Sequence, residues 1–140
     1  MKKRSFFAGL VFVLFTGLFL TGCASNYHVF DKSIPEENLS IIKIPGELSV
    51  VKFDDTNVKW HTSFWGLYVN PDEYIVTVKI PAGEHTLIVN YLSEVNHGSY
   101  KEIRKADGIE IKYDFQEKNT YKLFPRIVGA SRVAVIVEKL

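Results

Sequence analysis

Short apolar runs separated by turn-forming residues, at intervals of roughly ten, are the feature that most restricts the fold of this chain. The clearest run covers residues 109–116, where Ile109, Ile111, Tyr113 and Phe115 alternate with polar residues. Such alternation predicts an antiparallel strand with one buried face and one face in water. We found no convincing amphipathic helix. The predicted fold is therefore all-β, an antiparallel β-sandwich of about seven to nine short strands, with a small barrel as the alternative.

Several apolar runs precede this strand, and two proline-glycine turns lie among them. Pro45-Gly46 is predicted to join its two neighbouring runs as a hairpin or as adjacent strands, and the segment 81–84 is predicted to close a second hairpin. In this second hairpin, Val76, Val78 and Ile80 share one face, as do Leu87, Val89 and Tyr91. The predicted strands are Leu39–Ile44, Leu48–Phe53, the first half of Val58–Tyr68, Tyr74–Ile80 and Thr86–Leu92.

The C-terminal part of the chain mixes a polar segment with further strands. Residues 93–107 are polar and irregular, which predicts a long surface loop with room for one turn of helix. Tyr121–Phe124 is predicted to pair with the strand at 109–116 as a hairpin. Val133–Val137 has no polar face, which predicts a strand in the centre of a sheet.

The N-terminal segment has the order of a secretory signal. Three basic residues follow Met1, an uncharged apolar run extends to Leu20, and the small residues Thr21 and Gly22 precede Cys23. The apolar run is shorter than the ~20 residues that a membrane-spanning helix needs, which argues against an uncleaved anchor. Cys23 is the only cysteine of the chain, so an internal disulfide is excluded.

The tetrapeptide Leu20-Thr21-Gly22-Cys23 resembles the lipobox of bacterial lipoproteins. The resemblance implies cleavage between Gly22 and Cys23, diacylglycerol on the Cys23 sulfur and an acyl chain on the new amino group. Two or three chains give a stable anchor, whereas one gives marginal binding. An ordinary secretory signal is the alternative. Ala24, where an aspartate could stand, resembles the outer-membrane sorting choice of many Gram-negative lipoproteins, so the expected location is the cell envelope.

This interpretation of the sequence divides the chain into three parts. Residues 1–22 are a removed signal peptide, residues 23–38 a lipidated N-terminus and tether, and residues 39–140 a β-sandwich domain. The tether is short and mostly polar, so the domain is expected to sit close to the membrane surface. Tyr27, Val29 and Phe30 are its apolar exceptions and could dock on the domain.

The segment Val78–Tyr91, with its Pro-x-Gly-x-His turn, resembles the hairpin of PEGA-type domains and of uncharacterised bacterial envelope lipoproteins. The stretches 53–60 and 114–121 resemble the same group. The resemblance implies an immunoglobulin-like or prealbumin-like sandwich at the cell envelope, and it implies no activity. The chain departs from PEGA domains in carrying Asn90-Tyr91 where they have a Gly-Tyr pair soon after the second strand.

Charge and motifs exclude several function classes. Without residues 1–22, 14 basic residues stand against 16 acidic ones, a net charge of −2, and no nucleic-acid partner is expected. The four histidines form no grouping with metal-ligand spacing, so no metal and no cofactor beyond the lipid is expected. Because the sequence contains no Gly-x-Ser-x-Gly elbow and no phosphate-binding loop, we expect that the protein is not an enzyme. A small envelope hydrolase built from distant strands is a remote alternative. His85 is expected to cap the turn beside it.

Two clusters could bind a partner. Trp60, Phe64, Trp65 and Tyr68 are candidate binding residues for a carbohydrate or small apolar ligand, and the other interpretation is that they fill the core. The basic cluster around Arg104 is expected to be a solvated face, with contact to anionic lipid as the alternative. The predicted function is therefore a membrane-anchored, non-catalytic binding or structural module, whose partner is another envelope protein or cell-wall glycan.

Overall fold

The computed structural model describes residues 27–62 and 74–140, and this part of the chain folds into two stacked β-sheets. No α-helix occurs in these residues, and a single 3-10 turn covers Glu36–Asn38. The all-β prediction is confirmed, and the nine strands of the described residues fall within the expected number. The strands are β1 Tyr27–Val29, β2 Leu39–Pro45, β3 Leu48–Phe53, β4 Thr56–Trp60, β5 Ile75–Pro81, β6 Gly83–Asn96, β7 Lys101–Phe115, β8 Thr120–Val128 and β9 Arg132–Lys139.

The sheets have five and four strands and do not close into a barrel, so the architecture is a β-sandwich. The five-stranded sheet has the order β1-β5-β2-β8-β9, and the four-stranded sheet has the order β4-β3-β6-β7. The smaller sheet is antiparallel throughout. The larger sheet contains two parallel pairs, β1 with β5 and β2 with β8, which the antiparallel prediction did not include.

The core lies between the inner faces of the two sheets. In β5 the side chains of Val76, Val78 and Ile80 are fully buried, as the alternation predicts. The inward side chains of β6 lie opposite them, and burying this apolar surface is the main favourable term in folding. The largest fully buried side chains are Tyr121, Phe53, Phe115, Ile42, Ile44, Leu48, Ile80, Leu87 and Leu123.

Three predicted hairpins are wrong because the chain changes sheets at those turns. β2 and β3, joined at Pro45-Gly46, belong to different sheets, and so do β5 and β6, joined around Gly83. β7 and β8 are likewise in different sheets. At these three connections the two consecutive strands therefore lie in opposite sheets, and their apolar faces are buried in one cluster. Gly83 has φ +125°, a backbone conformation that favours glycine at this tight crossing.

The polar segment at 93–107 is not a loop. β6 continues to Asn96 and β7 begins at Lys101, so most of the segment forms a hairpin with a four-residue turn. The strand predicted at 109–116 is confirmed as the second half of β7, with Ile111 and Phe115 buried.

The apolar strand near the C-terminus is an edge strand, and its prediction as a central strand is wrong. β9 pairs only with β8, which places β9 at the end of the five-stranded sheet. Val133, Val135 and Val137 pack against the core, while Ile136 points outward with 41% of its surface exposed. The outward positions of β9 are therefore Arg132, Ala134, Ile136 and Glu138, two charged and two apolar residues.

The first described residues, which are predicted to belong to the tether, form part of the sandwich. Tyr27–Val29 forms β1 and runs parallel to β5 at the other edge of the five-stranded sheet. Phe30 follows, and its ring lies 4.6 Å from that of Phe53 and 5.9 Å from that of Trp60. Lys79 in β5 forms an ion pair with Glu36 and lies over the Tyr27 ring. The residues from Tyr27 onward are therefore part of the folded domain.

Ile42→Ala should lower the free energy of unfolding by about 2 to 5 kcal/mol, because Ile42 is fully buried and its removal leaves a cavity. Ile136→Ala deletes the same atoms from an exposed edge position and should cost less than about 1 kcal/mol. Urea unfolding of both variants measures the difference. Equal losses in the two variants would contradict this placement of the core.

Candidate functional site

The aromatic stretch from Trp60 to Tyr68 begins in the core. Trp60 is 6% exposed, and its ring lies 5.3 Å from that of Phe53. Its indole therefore fills the sandwich and does not form part of a surface platform. The other candidate binding residues of this stretch, Phe64, Trp65 and Tyr68, lie outside the described residues, as do Gly22 and Cys23.

His85 holds the crossing between β5 and β6 in place. Its Nε2 lies 2.9 Å from the carbonyl oxygen of Pro81, and its Nδ1 lies 2.8 Å from a carboxylate oxygen of Asp54. The other carboxylate oxygen accepts a hydrogen bond from the Thr86 amide at 2.9 Å. Because both ring nitrogens are engaged, His85 acts as a structural link between turns, as its position beside the turn predicts.

Asp54 carries the charge of this link. Partial burial raises the pKa of the Asp54 carboxyl, but the hydrogen bonds from the Thr86 amide and His85 outweigh that effect, so its pKa lies below the usual 3.8. Asp54 also has φ +49°, a left-handed conformation that aspartate tolerates in a two-residue turn. These contacts give Asp54 a structural role in this turn.

Two further histidines, His61 and His97, have local partners. His97 stacks on Tyr100 with ring centroids 4.7 Å apart and lies 3.0 Å from Glu102. His61 Nδ1 donates to the Thr62 carbonyl at 2.8 Å. Within residues 27–62 and 74–140, no group of three metal-ligating side chains is assembled.

The most distinctive surface is one end of the sandwich, where two hairpins extend beyond the other strands. The Leu92 amide donates to the Glu47 carbonyl at 3.0 Å, so β6 passes the β2–β3 turn there and continues to Asn96. In the other sheet Lys43 is level with Lys122, so β2 ends two residues later and β8 continues to Val128. Each hairpin thus projects about 13 Å beyond the ends of the other described strands. We call residues 92–107 and 124–134 the hairpin extension.

The hairpin extension is rich in exposed apolar side chains. Ile103 is 69% exposed and Tyr100 61%, both on the β6–β7 hairpin. Ile127 and Val128, on the β8–β9 hairpin, are 46% and 43% exposed. Single exposed apolar residues are common on soluble proteins, but their concentration at one end makes this end a candidate interaction surface.

A cleft of about 340 Å³ separates the two hairpins. One wall is the segment from Glu102 to Lys105, and the other contains Ile127, Val133 and the turn at 129–131. Charged side chains therefore face apolar ones across the cleft. A volume of this size is at the lower end of the range for small-molecule pockets.

Ion pairs neutralise part of the charge on the β6–β7 hairpin. Lys101 pairs with Glu94 at 2.6 Å, Lys105 with Asp107 at 2.9 Å, and Arg104 with Glu102 at 2.8 Å. The hydrogen bond from Arg104, followed by that from His97, lowers the pKa of the Glu102 carboxyl. Exposed pairs of this kind contribute little to stability, so the pairs mainly set the local charge.

Sequence reasoning missed the hairpin extension, although two signals in the sequence mark it. Gly98, with φ +83°, lies in a turn where the amide of Gly98 bonds to the side chain of Asn96. Charged residues of opposite sign also recur on both sides of this turn, and one such pair joins Glu94 to Lys101. Since neither strand alternates apolar with polar residues there, the segment has the composition of a loop.

Comparison of the chain with known protein families, curated proteins and solved structures finds no match in any of the three. In the part of the chain that the structure describes, no helix is long and apolar enough to cross a membrane.

Asp54→Asn should destabilise the fold by about 1 kcal/mol, since it removes a half-exposed charge that accepts two hydrogen bonds. Because the folded pKa of Asp54 is lowered, its contribution is present above about pH 3.8 and is lost as the pH falls through the folded pKa. Thermal unfolding at neutral and acid pH measures both effects. Asp55→Asn, in the same turn, is the control, and an equal loss there would contradict a specific role for Asp54.

Proposed function

We propose that this protein is a lipid-anchored, non-catalytic lipoprotein of the cell envelope, whose β-sandwich serves as a binding or structural module. The observation that carries the proposal is the sequence Leu20-Thr21-Gly22-Cys23 directly after an apolar segment and at the only cysteine. The anchor is the diacylglycerol and acyl group on Cys23, and the proposed location is the envelope, with the outer membrane favoured by Ala24 in a Gram-negative host.

The surroundings of His85 and His97 support a non-catalytic role. A general base needs a ring nitrogen that can reach a substrate proton, yet both nitrogens of His85 contact protein oxygens. His97 is stacked on Tyr100 and held by Glu102 on the exposed hairpin. These contacts favour structural roles for both residues.

The hairpin extension supports a binding role. Its exposed apolar side chains and its cleft are features of surfaces that contact a partner. The partners expected for such a module are the membrane to which it is anchored, another envelope protein or cell-wall glycan.

Cys23→Ala should abolish lipidation and processing, because the sulfur that receives the diacylglycerol is absent. The variant should keep residues 1–22 and lack the mass of the lipid, and its distribution between membrane and soluble fractions should change. Mass spectrometry and membrane fractionation measure these results. Ser25→Ala, two residues further on, is the control and should be processed normally. Unchanged mass and unchanged fractionation of Cys23→Ala would overturn the proposal.

An alternative function is binding of a carbohydrate or small apolar ligand by the stretch 60–68. Since Trp60 is in the core, this function would fall to Phe64, Trp65 and Tyr68. In a Trp65→Phe variant, Trp60 is the only tryptophan and should be several-fold less quenched by acrylamide than free tryptophan. Quenching equal to that of free tryptophan would contradict its burial. The difference between wild type and variant reports Trp65, and the alternative requires that cell-wall glycan fragments protect it.

A further inference from the structure

We propose that the hairpin extension is a membrane-contact surface that rests on the headgroups of a bilayer containing anionic lipid. The proposal depends on the lipid anchor at Cys23, and it adds an orientation and a second contact to that anchor. Three independent features of the chain support it: the length of the tether, the position of the exposed apolar side chains and the distribution of charge.

The tether is too short to hold the domain away from the membrane. Cys23 and Tyr27, the first residue of β1, are separated by four Cα–Cα steps. Whatever their conformation, four steps span at most about 14 Å. A lipidated Cys23 therefore keeps Tyr27 within about 14 Å of the lipid headgroups.

The hairpin extension lies on the side of Tyr27 at which β1 begins. Tyr27 is level with Thr77, Thr77 with Lys43, and Lys43 with Lys122, so these four residues form one row across the sheet. β1 is antiparallel to β8, so the N-terminal end of β1 at Tyr27 faces the end of the sheet toward which β8 runs. Val128 lies six residues beyond Lys122, which is about 20 Å along the strand. The hairpin therefore reaches past the row at least as far as the tether, even after strand twist shortens its projection.

Most exposed apolar side chains of the described residues lie at this end. Of seven large apolar residues that are exposed, four belong to the hairpin extension and a fifth is Tyr27. Of the other two, Ile136 pairs with Phe124 at the base of the hairpin extension, and Leu140 lies toward the opposite end. Tyrosine and aliphatic side chains of this kind enter the boundary between headgroups and acyl chains, where apolar area drives binding.

The charge of the hairpin extension has the sign that anionic headgroups attract. The extension has five basic and three acidic side chains, a net charge of +2, while residues 23–140 as a whole carry −2. Arg126 and Arg132, on the β8–β9 hairpin, form no ion pair with another described residue and are exposed. Basic residues near a negatively charged leaflet are attracted within about one Debye length, ~8 to 10 Å.

A membrane fits this surface better than a folded partner does. The exposed apolar residues lie on two separate projecting hairpins with a cleft between them, and a fluid headgroup layer can adapt to such a profile. The proposed anchor also keeps the N-terminal end of β1 within about 14 Å of the bilayer in every lipidated molecule, so a protein partner at this end would have to fit between the domain and the lipid.

The test uses the full chain, lipidated and reconstituted in vesicles of phosphatidylethanolamine and phosphatidylglycerol. Because the Cys23 sulfur is blocked by lipid, a single introduced cysteine can carry an environment-sensitive fluorophore. Ile103→Cys places it on the hairpin extension, and Glu117→Cys places it in the turn at the opposite end of the sandwich. Spin-labelled lipid should quench the probe at position 103 several-fold more than the probe at position 117.

The outcomes separate the two proposals. Equal quenching at both positions, with lipid present on Cys23 by mass spectrometry, overturns the membrane contact and leaves the anchor. Absence of lipid on Cys23 overturns both. Protection of the probe at 103 from aqueous quencher without quenching by lipid indicates a protein partner or a second copy, and this result also overturns the membrane contact.

A charge-reversed variant tests the electrostatic part. Arg126→Glu with Arg132→Glu should reduce the lipid quenching of the probe at 103 several-fold, because both cations become repelled by phosphatidylglycerol. Lys59→Glu with Lys139→Glu makes the same change of charge away from the hairpin extension and should leave the quenching unchanged. An equal effect of the two double variants would overturn a specific contact with anionic lipid.

Discussion

The contact between the inner faces of the two sheets is the interaction on which the rest of this structure depends. The chain changes sheets at three short connections, and at each of them the two consecutive strands lie in opposite sheets and bury their apolar faces in one cluster instead of pairing side by side. Each such crossing needs its own local support because no ladder of backbone hydrogen bonds holds it. At the β5–β6 crossing that support is His85, which joins the Pro81 carbonyl to the Asp54 carboxylate. At the β7–β8 crossing, the Ser40 hydroxyl donates to the Gln116 carbonyl at 2.6 Å.

The same topology explains why the two long hairpins can extend beyond the core. β6 pairs with β7 and β8 with β9, so the backbone groups of the projecting segments are satisfied between partners without help from the sandwich. A bulge at Gly108, with φ +69°, bends β7 where the extension begins, and the Asn90 side chain accepts the Gly108 amide at 2.9 Å. β7 and β9 are neighbouring edges of the two sheets and contact each other. The hairpins therefore project together and enclose a cleft.

Sequence reasoning succeeded where the signal is local and failed where it depends on distant partners. Alternation identified the buried faces of β5, β6 and β7, because a period of two follows from strand geometry alone. Pairing was wrong at Pro45-Gly46 and at 81–84, since a turn sequence shows where a chain reverses and not in which sheet it continues. The composition of β9 predicted a central strand, but β9 is an edge strand whose outward Ile136 side chain is exposed. The hairpin extension was missed because strands outside the core need no apolar alternation, and the lipidation of Cys23 stays a prediction.

The parallel pairing of β1 with β5 determines which end of the domain would face the membrane under the proposed lipidation of Cys23. If Tyr27–Val29 were antiparallel to β5, the tether would leave at the opposite end, near Pro81 and the Asp54 turn. The exposed apolar residues of the hairpin extension, together with its net charge of +2, would then lie at the end away from the lipid. The observed direction places the N-terminal end of β1, the exposed apolar side chains and the excess positive charge on one side. A three-residue strand at the edge of the sheet thus relates the proposed anchor to the surface of the domain.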